Sequence, residues 1–214
     1  MSPGEVIKRQ EKADARKENW RTIYEECYEF ALPQRNLYTG HYEGGTPGQN
    51  KMDRVFDSTA INSTKRFANR VQAELFPPYL SWCTLQQGAN IPVESRPEMN
   101  AALQVYEDRM FAVLRQTNFD LAISEFLLDL CVGTAVMLVQ PGDADQPVQF
   151  TPVPQYLVSF EEGPNGTVDN VYRKLRIRGE AIQRQWPDAQ IPPRLQQQIE
   201  NKPDAEIDLI EATV

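Results

Sequence analysis

The sequence predicts an α+β fold in which about four N-terminal helices precede a mainly antiparallel sheet with short helices. The helix start signal Ser-x-x-Glu occurs at Ser2 and again at Ser95. Up to Gly133 the apolar residues recur with a helical period, whereas beyond it they fall into short runs bounded by turn residues. We therefore expect a helical part at residues 1–133 and a β-rich part at 134–214.

The first helix is expected to begin at Pro3 and to continue to Pro33. Ser2 supplies the N-cap hydroxyl, and Glu5 completes a capping box three residues later. One apolar stripe follows along this helix: Val6, Ala13, Trp20, Tyr24, Cys27 and Ala31. Residues 34–50 are rich in Gly, Pro, Asn and Thr without periodicity, which predicts an exposed loop.

Three further helices are expected, at about residues 57–76, 95–116 and 118–132. Asp57 or Ser58 can start the first of these, and Asn118 can cap the last, whose wide apolar arc predicts that it is buried. The second helix of the chain is expected to pack through Phe67, Val71 and Leu75. Its apolar side carries Ala60, Ile61, Thr64, Phe67, Ala68, Val71 and Leu75.

The β-rich part contains four apolar runs that are typical of strands: Thr134–Gln140, Val148–Val153, Tyr156–Phe160 and Val168–Ile177. Gly163 to Gly166 supplies the residues that a hairpin turn needs. Short helices are expected at 180–186 and 193–200, and one more strand at 206–214. Trp82 to Leu85 is predicted to be a short extended piece.

Composition excludes several classes of protein. The formal net charge is −8, which disfavours tight non-specific binding of DNA, because affinity for duplex comes mainly from phosphate neutralisation. The longest apolar stretch, Leu130 to Val139, is shorter than the ~18 residues that a membrane-spanning helix needs. The three cysteines have no Cys-x-x-Cys spacing, so we expect buried small apolar residues and no zinc site.

No assembled catalytic, cofactor-binding or metal-binding site is expected. Gly44 to Lys51 resembles a phosphate loop, but no Gly is followed directly by Lys and Ser or Thr. His41 is the only histidine, which removes His-dependent catalytic triads unless His41 is itself the base. Asp53 and Asp57 could share a helix face and bind a divalent ion, but Asp57 is better explained as a helix cap.

Two basic stretches could contact a phosphate backbone. The first contains Lys51, Arg54, Lys65, Arg66 and Arg70, and the second contains Arg173, Lys174, Arg176 and Arg178. The candidates for DNA contact are Lys65, Arg176 and Arg178. The alternative is that Arg66 and Arg70 pair with acidic neighbours or a partner subunit, and that Arg176 and Arg178 form the solvent face of a strand.

Several ordered motifs carry a family resemblance. They are Trp20 to Tyr28, Leu32 to Asn36 with its Pro-x-Arg, Val55 to Ala60 with its Phe-Asp-Ser-Thr, Phe67 to Pro78, and Trp82. Later motifs are the helix that ends at Gly133, the Val153 to Val158 segment and the Gly166 to Val168 turn. Over about residues 17–180 the sequence resembles the head-to-tail connecting (portal) proteins of short-tailed bacteriophages. Cys83 replaces the aromatic residue that the family has after the Trp82 position.

The resemblance implies a structural protein and not an enzyme. Portal subunits form a ring, usually of about twelve copies, at one capsid vertex. DNA passes through without tight binding, and the implied partners are the terminase large subunit, tail adaptor proteins, and the major capsid and scaffolding proteins. The implied location is the virion, after synthesis in the host bacterial cytoplasm. Residues 1–133 then correspond to the helical part of the portal wing, and 134–214 to a part leading toward the clip and stem.

Trp20, Tyr24, Arg66 and Arg70 are the subunit-interface candidates under this resemblance. Because portal subunits are longer, we also expect these 214 residues to be the N-terminal part of a longer subunit that does not form the ring alone. The alternatives are a stand-alone DNA-binding module, which is ordinarily basic, and a metal-dependent nuclease, which needs three or more converging carboxylates.

Overall fold

The computed structural model describes residues 2–35, 55–88 and 96–214. Its helices are α1 Pro3–Glu18, α2 Arg21–Ala31, α3 Thr59–Leu75, α4 Arg96–Leu114, α5 Phe119–Leu130, α6 Gly179–Gln185 and α7 Pro193–Asn201. Its strands are β1 Val136–Pro141, β2 Val148–Val153, β3 Val158–Glu162, β4 Val168–Arg178 and β5 Glu206–Thr213. The α+β prediction is therefore confirmed.

The chain divides into two compact units, and these do not follow the order of helices and strands along the sequence. One unit is Met1–Arg21 with Tyr156–Val214, and the other is Thr22–Gln155. The hairpin β1–β2 therefore belongs with helices, and α1 belongs with the other strands.

The first unit consists of α1, α6, α7 and an antiparallel sheet of order β3-β4-β5. α1 lies against β3 and buries Ala13. Polar groups complete this packing, since Asp14 accepts a hydrogen bond from the Ser159 hydroxyl and forms an ion pair with Lys174. The backbone at Gly179 lies close to α7, because a Cβ at this position would be 2.9 Å from Ile199 Cγ1.

The second unit packs α3 on α5 around Ala68, Ile123 and Leu127. The strands β1 and β2 pair antiparallel in a separate two-stranded sheet. The Asn118 side chain fixes the start of α5 to β2, because it accepts from the Phe150 N–H at 3.0 Å and donates to the Phe150 carbonyl at 2.6 Å. Asn118 occupies the N-cap position as predicted but makes no cap hydrogen bond with its side chain.

Trp82 lies at the centre of an aromatic cluster in this unit. Its ring meets those of Phe76 and Phe111 edge to face, with centroids 5.0 and 5.5 Å apart. It stacks on the ring of Phe119, with centroids 5.8 Å apart. Phe119 in turn contacts Phe150 at 5.1 Å. These geometries are the ones that aromatic pairs favour. Residues 82–85 form no β-strand, so the packing of the Trp82 ring on its aromatic neighbours holds this segment in place.

Three expectations about the helices were wrong in part. The predicted first helix is two helices, because Asn19 and Trp20 donate to carbonyls three residues back and close α1 before α2 begins. α3 packs through Thr64, Ala68 and Val71, which lie on the expected apolar side, whereas Phe67 and Leu75 of that side are 45% and 57% exposed. α5 is not buried all round, since Leu121 is 75% exposed.

Two further expectations differ from the structure. The predicted single sheet is two sheets, because β1–β2 packs on α5 while β3-β4-β5 packs on α1. Cys27, Cys83 and Cys131 are half-buried free thiols. The strand and short-helix predictions after Gly133 agree with the structure to within a few residues.

Lys17 attaches the last turn of α1 to the segment before β3. Its ammonium group donates to the Tyr156 carbonyl and lies 5.6 Å from the centroid of the Tyr156 ring. Burial lowers the pKa of Lys17 from 10.5 to about 8; Lys174 also lowers it, and Asp14 and Glu18 partly oppose the change.

The free energy of unfolding is expected to rise with pH between about 8 and 10.5 through Lys17. In this window the unfolded lysine keeps its proton while the folded one loses it, so the unfolded state binds more protons and stability increases with pH. Denaturant unfolding of the wild type and of Lys17→Met across this window measures the difference. Lys12→Met, an exposed lysine of the same helix, is the control, and equal pH slopes for wild type and Lys17→Met would contradict the prediction.

Candidate functional site

The exposed sides of α3 carry cations and an aromatic ring. Lys65, Arg66 and Phe67 are all solvent-exposed. Among the described residues Lys65 and Arg66 have no carboxylate partner, whereas Arg70 pairs with Glu74 at 3.0 Å within the same helix. Exposed pairs of this kind hold their side chains weakly, so all three cations are accessible to a partner, although consecutive residues point to different sides of the helix.

The basic stretch on β4 has a different environment. Arg176 lies 2.8 Å from Asp208, which is its register partner on β5, and Arg178 lies 4.0 Å from Asp204. Arg173 pairs with Glu211 at 3.4 Å, and Lys174 pairs with Asp14. A phosphate would compete with these carboxylates for each cation, so the arrangement favours the solvent-face interpretation. The role of Arg176 and Arg178 in DNA contact stays a prediction.

A buried ion pair links the end of α2 to α5, and sequence reasoning missed it. Asp129 is 1% exposed. The Arg35 guanidinium donates to both of its carboxylate oxygens, from Nη2 at 2.7 Å and from Nε at 3.2 Å. The Tyr28 hydroxyl donates to the same carboxylate at 3.1 Å, and Arg35 Nη1 also donates to Glu125 at 2.9 Å.

The electrostatics of this cluster favour the charged form of Arg35. Burial alone lowers the pKa of Arg35, but the hydrogen bonds and charges of Asp129 and Glu125 outweigh it, so its pKa is raised. The Pro-x-Arg motif after α2 therefore has a structural role, which is to neutralise a buried carboxylate. Asp129 lies among Leu127, Leu128 and Leu130 at the end of α5, and a carboxylate in such apolar surroundings signals that a partner is needed, although not which residue supplies it.

The remaining site predictions fall in separate places. Trp20, in the first unit, is 57% exposed, while Tyr24 is half-buried in α2 of the second unit. Asp57 Oδ1 accepts from the Thr59 N–H at 2.7 Å, and this hydrogen bond lowers the pKa of Asp57. Asp57 thus acts as a helix cap one residue before Ser58. His41, Asp53, Lys51 and Arg54 lie outside the described residues.

Neither a metal-binding cluster nor a membrane-crossing helix is found in the described part of the chain. The residues there hold no group of three or more His, Cys, Asp or Glu side chains that could bind a metal ion. None of the helices described combines the length and apolar character that a membrane crossing requires.

Comparison with known proteins gives one family. The sequence model of the family described as bacteriophage head to tail connecting protein matches residues 4–214. No curated protein matches the chain. The family match extends from α1 through β5 and confirms the resemblance that the motifs carry.

Replacing Asp129 by Leu is expected to lower the free energy of unfolding by about 3–5 kcal/mol, because Arg35 keeps its charge in a partly buried position without its main partner. Urea unfolding measures the loss. Glu125→Gln removes the exposed partner of the same guanidinium and is expected to cost less than about 1 kcal/mol. The double variant Arg35→Met with Asp129→Leu should recover part of the loss, and equal losses for Asp129→Leu and Glu125→Gln would contradict this account.

Proposed function

Because the chain belongs to the bacteriophage head to tail connecting protein family, we propose that it is a structural subunit of the portal ring at one capsid vertex. The observation that carries the proposal is the family match over residues 4–214. The family is structural rather than catalytic. The ring forms the channel for DNA packaging and ejection.

The ring is proposed to be a closed assembly of identical subunits, of about twelve copies. Arg66 and Arg70 on α3, with Trp20 and Tyr24, are proposed to contact the neighbouring subunit. The exposed Phe67 beside Arg66 supports this assignment for α3, because an apolar ring flanked by cations is a surface that protein partners favour. Arg66 also lacks a carboxylate partner among the described residues.

The proposed external partners are those of a connector. The terminase large subunit docks during packaging and tail adaptor proteins dock afterwards, while the major capsid and scaffolding proteins surround the vertex during assembly. These proposals rest on the family alone.

DNA is proposed to pass through the ring without tight binding. The net charge of −8 and the carboxylates beside Arg176 and Arg178 support weak contact, because phosphate neutralisation supplies most affinity for duplex. A wall that bound phosphates tightly would hold back a moving duplex. Lys65, Arg176 and Arg178 are the proposed transient contacts.

Protein expressed from its complete coding frame is expected to form closed rings in negative-stain images. A ring follows because a connector must surround the channel with identical subunits. Class averages give the copy number. Images that show only monomers or open filaments, from protein that is folded by circular dichroism, would contradict the proposal.

The affinity for duplex DNA is expected to be low, with a shallow dependence on salt. Three candidate cations per subunit limit the slope of log K against log salt to about −3 per subunit, since each phosphate contact contributes about −0.9. Fluorescence anisotropy over a salt series measures the slope, with Lys8→Ala as a control at an exposed lysine away from the candidates. A slope of about −6 or steeper per subunit would indicate a dedicated DNA-binding surface instead.

A further inference from the structure

The turn between β3 and β4 contains the only Asn-Gly pair of the sequence. The Gly163 N–H donates to the Thr167 carbonyl at 2.8 Å, and the Gly166 N–H donates to the Gly163 carbonyl at 3.1 Å. The second of these hydrogen bonds closes a β-turn over residues 163–166, with Pro164 in its second position and Asn165 in its third. The backbone nitrogen that follows Asn165 is therefore held by a hydrogen bond of the turn.

The geometry of this turn requires the glycine. Gly166 has a φ of 73°, in the left-handed region that residues with a side chain rarely adopt. Among the described residues Tyr79 alone combines a side chain with a positive φ, so the φ of Asn165 is negative and the turn is of type I. A type I turn followed by a left-handed glycine is a common hairpin connection. The Asn-Gly pair is thus part of the hairpin's design.

The two groups that can react with each other lie on neighbouring residues. Asn165 and Gly166 are both exposed, and the Asn165 carboxamide makes no hydrogen bond within the part of the chain that the structure describes. A Cβ added at position 166 would meet no heavy atom within 4 Å. Neither the carboxamide carbon nor the next backbone nitrogen is therefore shielded by another part of the chain.

We propose that Asn165 is a site of spontaneous deamidation whose rate is controlled by the turn. The Gly166 nitrogen attacks Asn165 Cγ, the side-chain nitrogen leaves as ammonia with the proton of the attacking nitrogen, and a five-membered succinimide forms. Water then adds to either carbonyl of this ring and gives aspartate or isoaspartate at position 165. The net reaction consumes one water molecule and releases one ammonia molecule, and it needs no cofactor.

The hydrogen bond of the Gly166 N–H restrains this reaction. While the N–H donates to the Gly163 carbonyl, its nitrogen is not free to turn toward the side chain of Asn165. Exposed turns open locally without unfolding of the elements that they connect. The reaction in the folded protein therefore proceeds through the open turn, and the product accumulates with the age of the chain.

The two products change the hairpin in different ways. Aspartate adds a negative charge to a turn that already holds the Asp169 carboxylate, which lies against Gly163 and accepts from Thr167 Oγ1 at 3.2 Å. Isoaspartate inserts a methylene into the backbone, so the two hydrogen bonds of the turn cannot both keep their geometry. Because β4 is the central strand of its sheet, we expect the isoaspartate form to loosen the β3–β4 pairing.

Peptide mapping by mass spectrometry of folded protein aged in warm, mildly alkaline buffer tests the site. Asn62 is the internal control, because it precedes the small residue Ser63 but lies in α3, where helical hydrogen bonds hold the backbone. We expect Asn165 to lose its amide at least about tenfold faster than Asn62, since an exposed turn opens more readily than the interior of a helix. Equal rates at the two positions would overturn the proposal.

The same measurement in guanidinium chloride tests the role of the turn. Asn165 is expected to react at least about tenfold faster in the unfolded chain than in the folded one, because the Gly166 N–H no longer has its partner. Pro164→Ala removes the residue that preorganises the turn, so it should raise the folded rate and leave the unfolded rate nearly unchanged. Equal folded and unfolded rates in the wild type would overturn control by the turn.

Asn165→Gln is the matched control variant, because it keeps the carboxamide but would have to form a less favourable six-membered ring. Labelling with an isoaspartyl methyltransferase should increase with age in the wild type and stay at background in Asn165→Gln. Labelling that rises equally in both would overturn the assignment to position 165. These readouts do not depend on ring formation, so a failure of this inference leaves the proposed function standing.

Hydrogen exchange measures the effect on the sheet. Aged protein that carries isoaspartate is expected to exchange the amides of β4 faster than Asn165→Asp, which has the new charge without the added methylene. Equal exchange in the two would contradict the loosening of the β3–β4 pairing.

Discussion

The ion pair between the buried carboxylate of Asp129 and Arg35 is the interaction on which the packing of the second unit depends. A charge at 1% exposure is tolerated only with a partner of opposite charge and with its hydrogen bonds made. Arg35 and Tyr28 supply both, so the end of α2 and the turn after it are held on α5. α5 in turn forms the core with α3. The same ion pair therefore supports the helix whose outer face carries Lys65 and Arg66.

In the first unit, too, charged side chains lie beside partners of opposite charge. The cations of β4 meet carboxylates of β5 across the sheet or of α1 above it, and Asp14 joins α1 to both β3 and β4. Most of the basic residues that the sequence offers for phosphate contact are thus beside an anion, in a chain that is acidic overall. Among the described residues Lys65 and Arg66 of α3 are the exceptions, since Arg70 of the same helix pairs with Glu74.

Local signals in the sequence were sufficient to predict most helices and strands, but not how these elements pack on one another. Turn residues such as Gly163 to Gly166 and the capping box at Ser2 act within a few positions, so the strands after Gly133 and the start of α1 could be predicted. The Arg35–Asp129 pair joins residues that are 94 positions apart. Asp129 among leucines indicates that a partner is needed, but a single sequence does not show which distant residue supplies it. Phe67 and Leu75 were assigned to the core because an apolar residue on a helix is the same signal whether its partner is the chain's own core or another subunit.

The central claim is that this protein is a ring-forming subunit located at one vertex of a phage capsid. Electron cryomicroscopy of intact particles, reconstructed without imposed symmetry and with an antibody fragment bound to a short tag on this chain, tests it most directly. The account predicts labelled density at one vertex only, in a closed ring of copies around the DNA channel. Label at every vertex, label dispersed through the shell, or particles that lack the chain would contradict it.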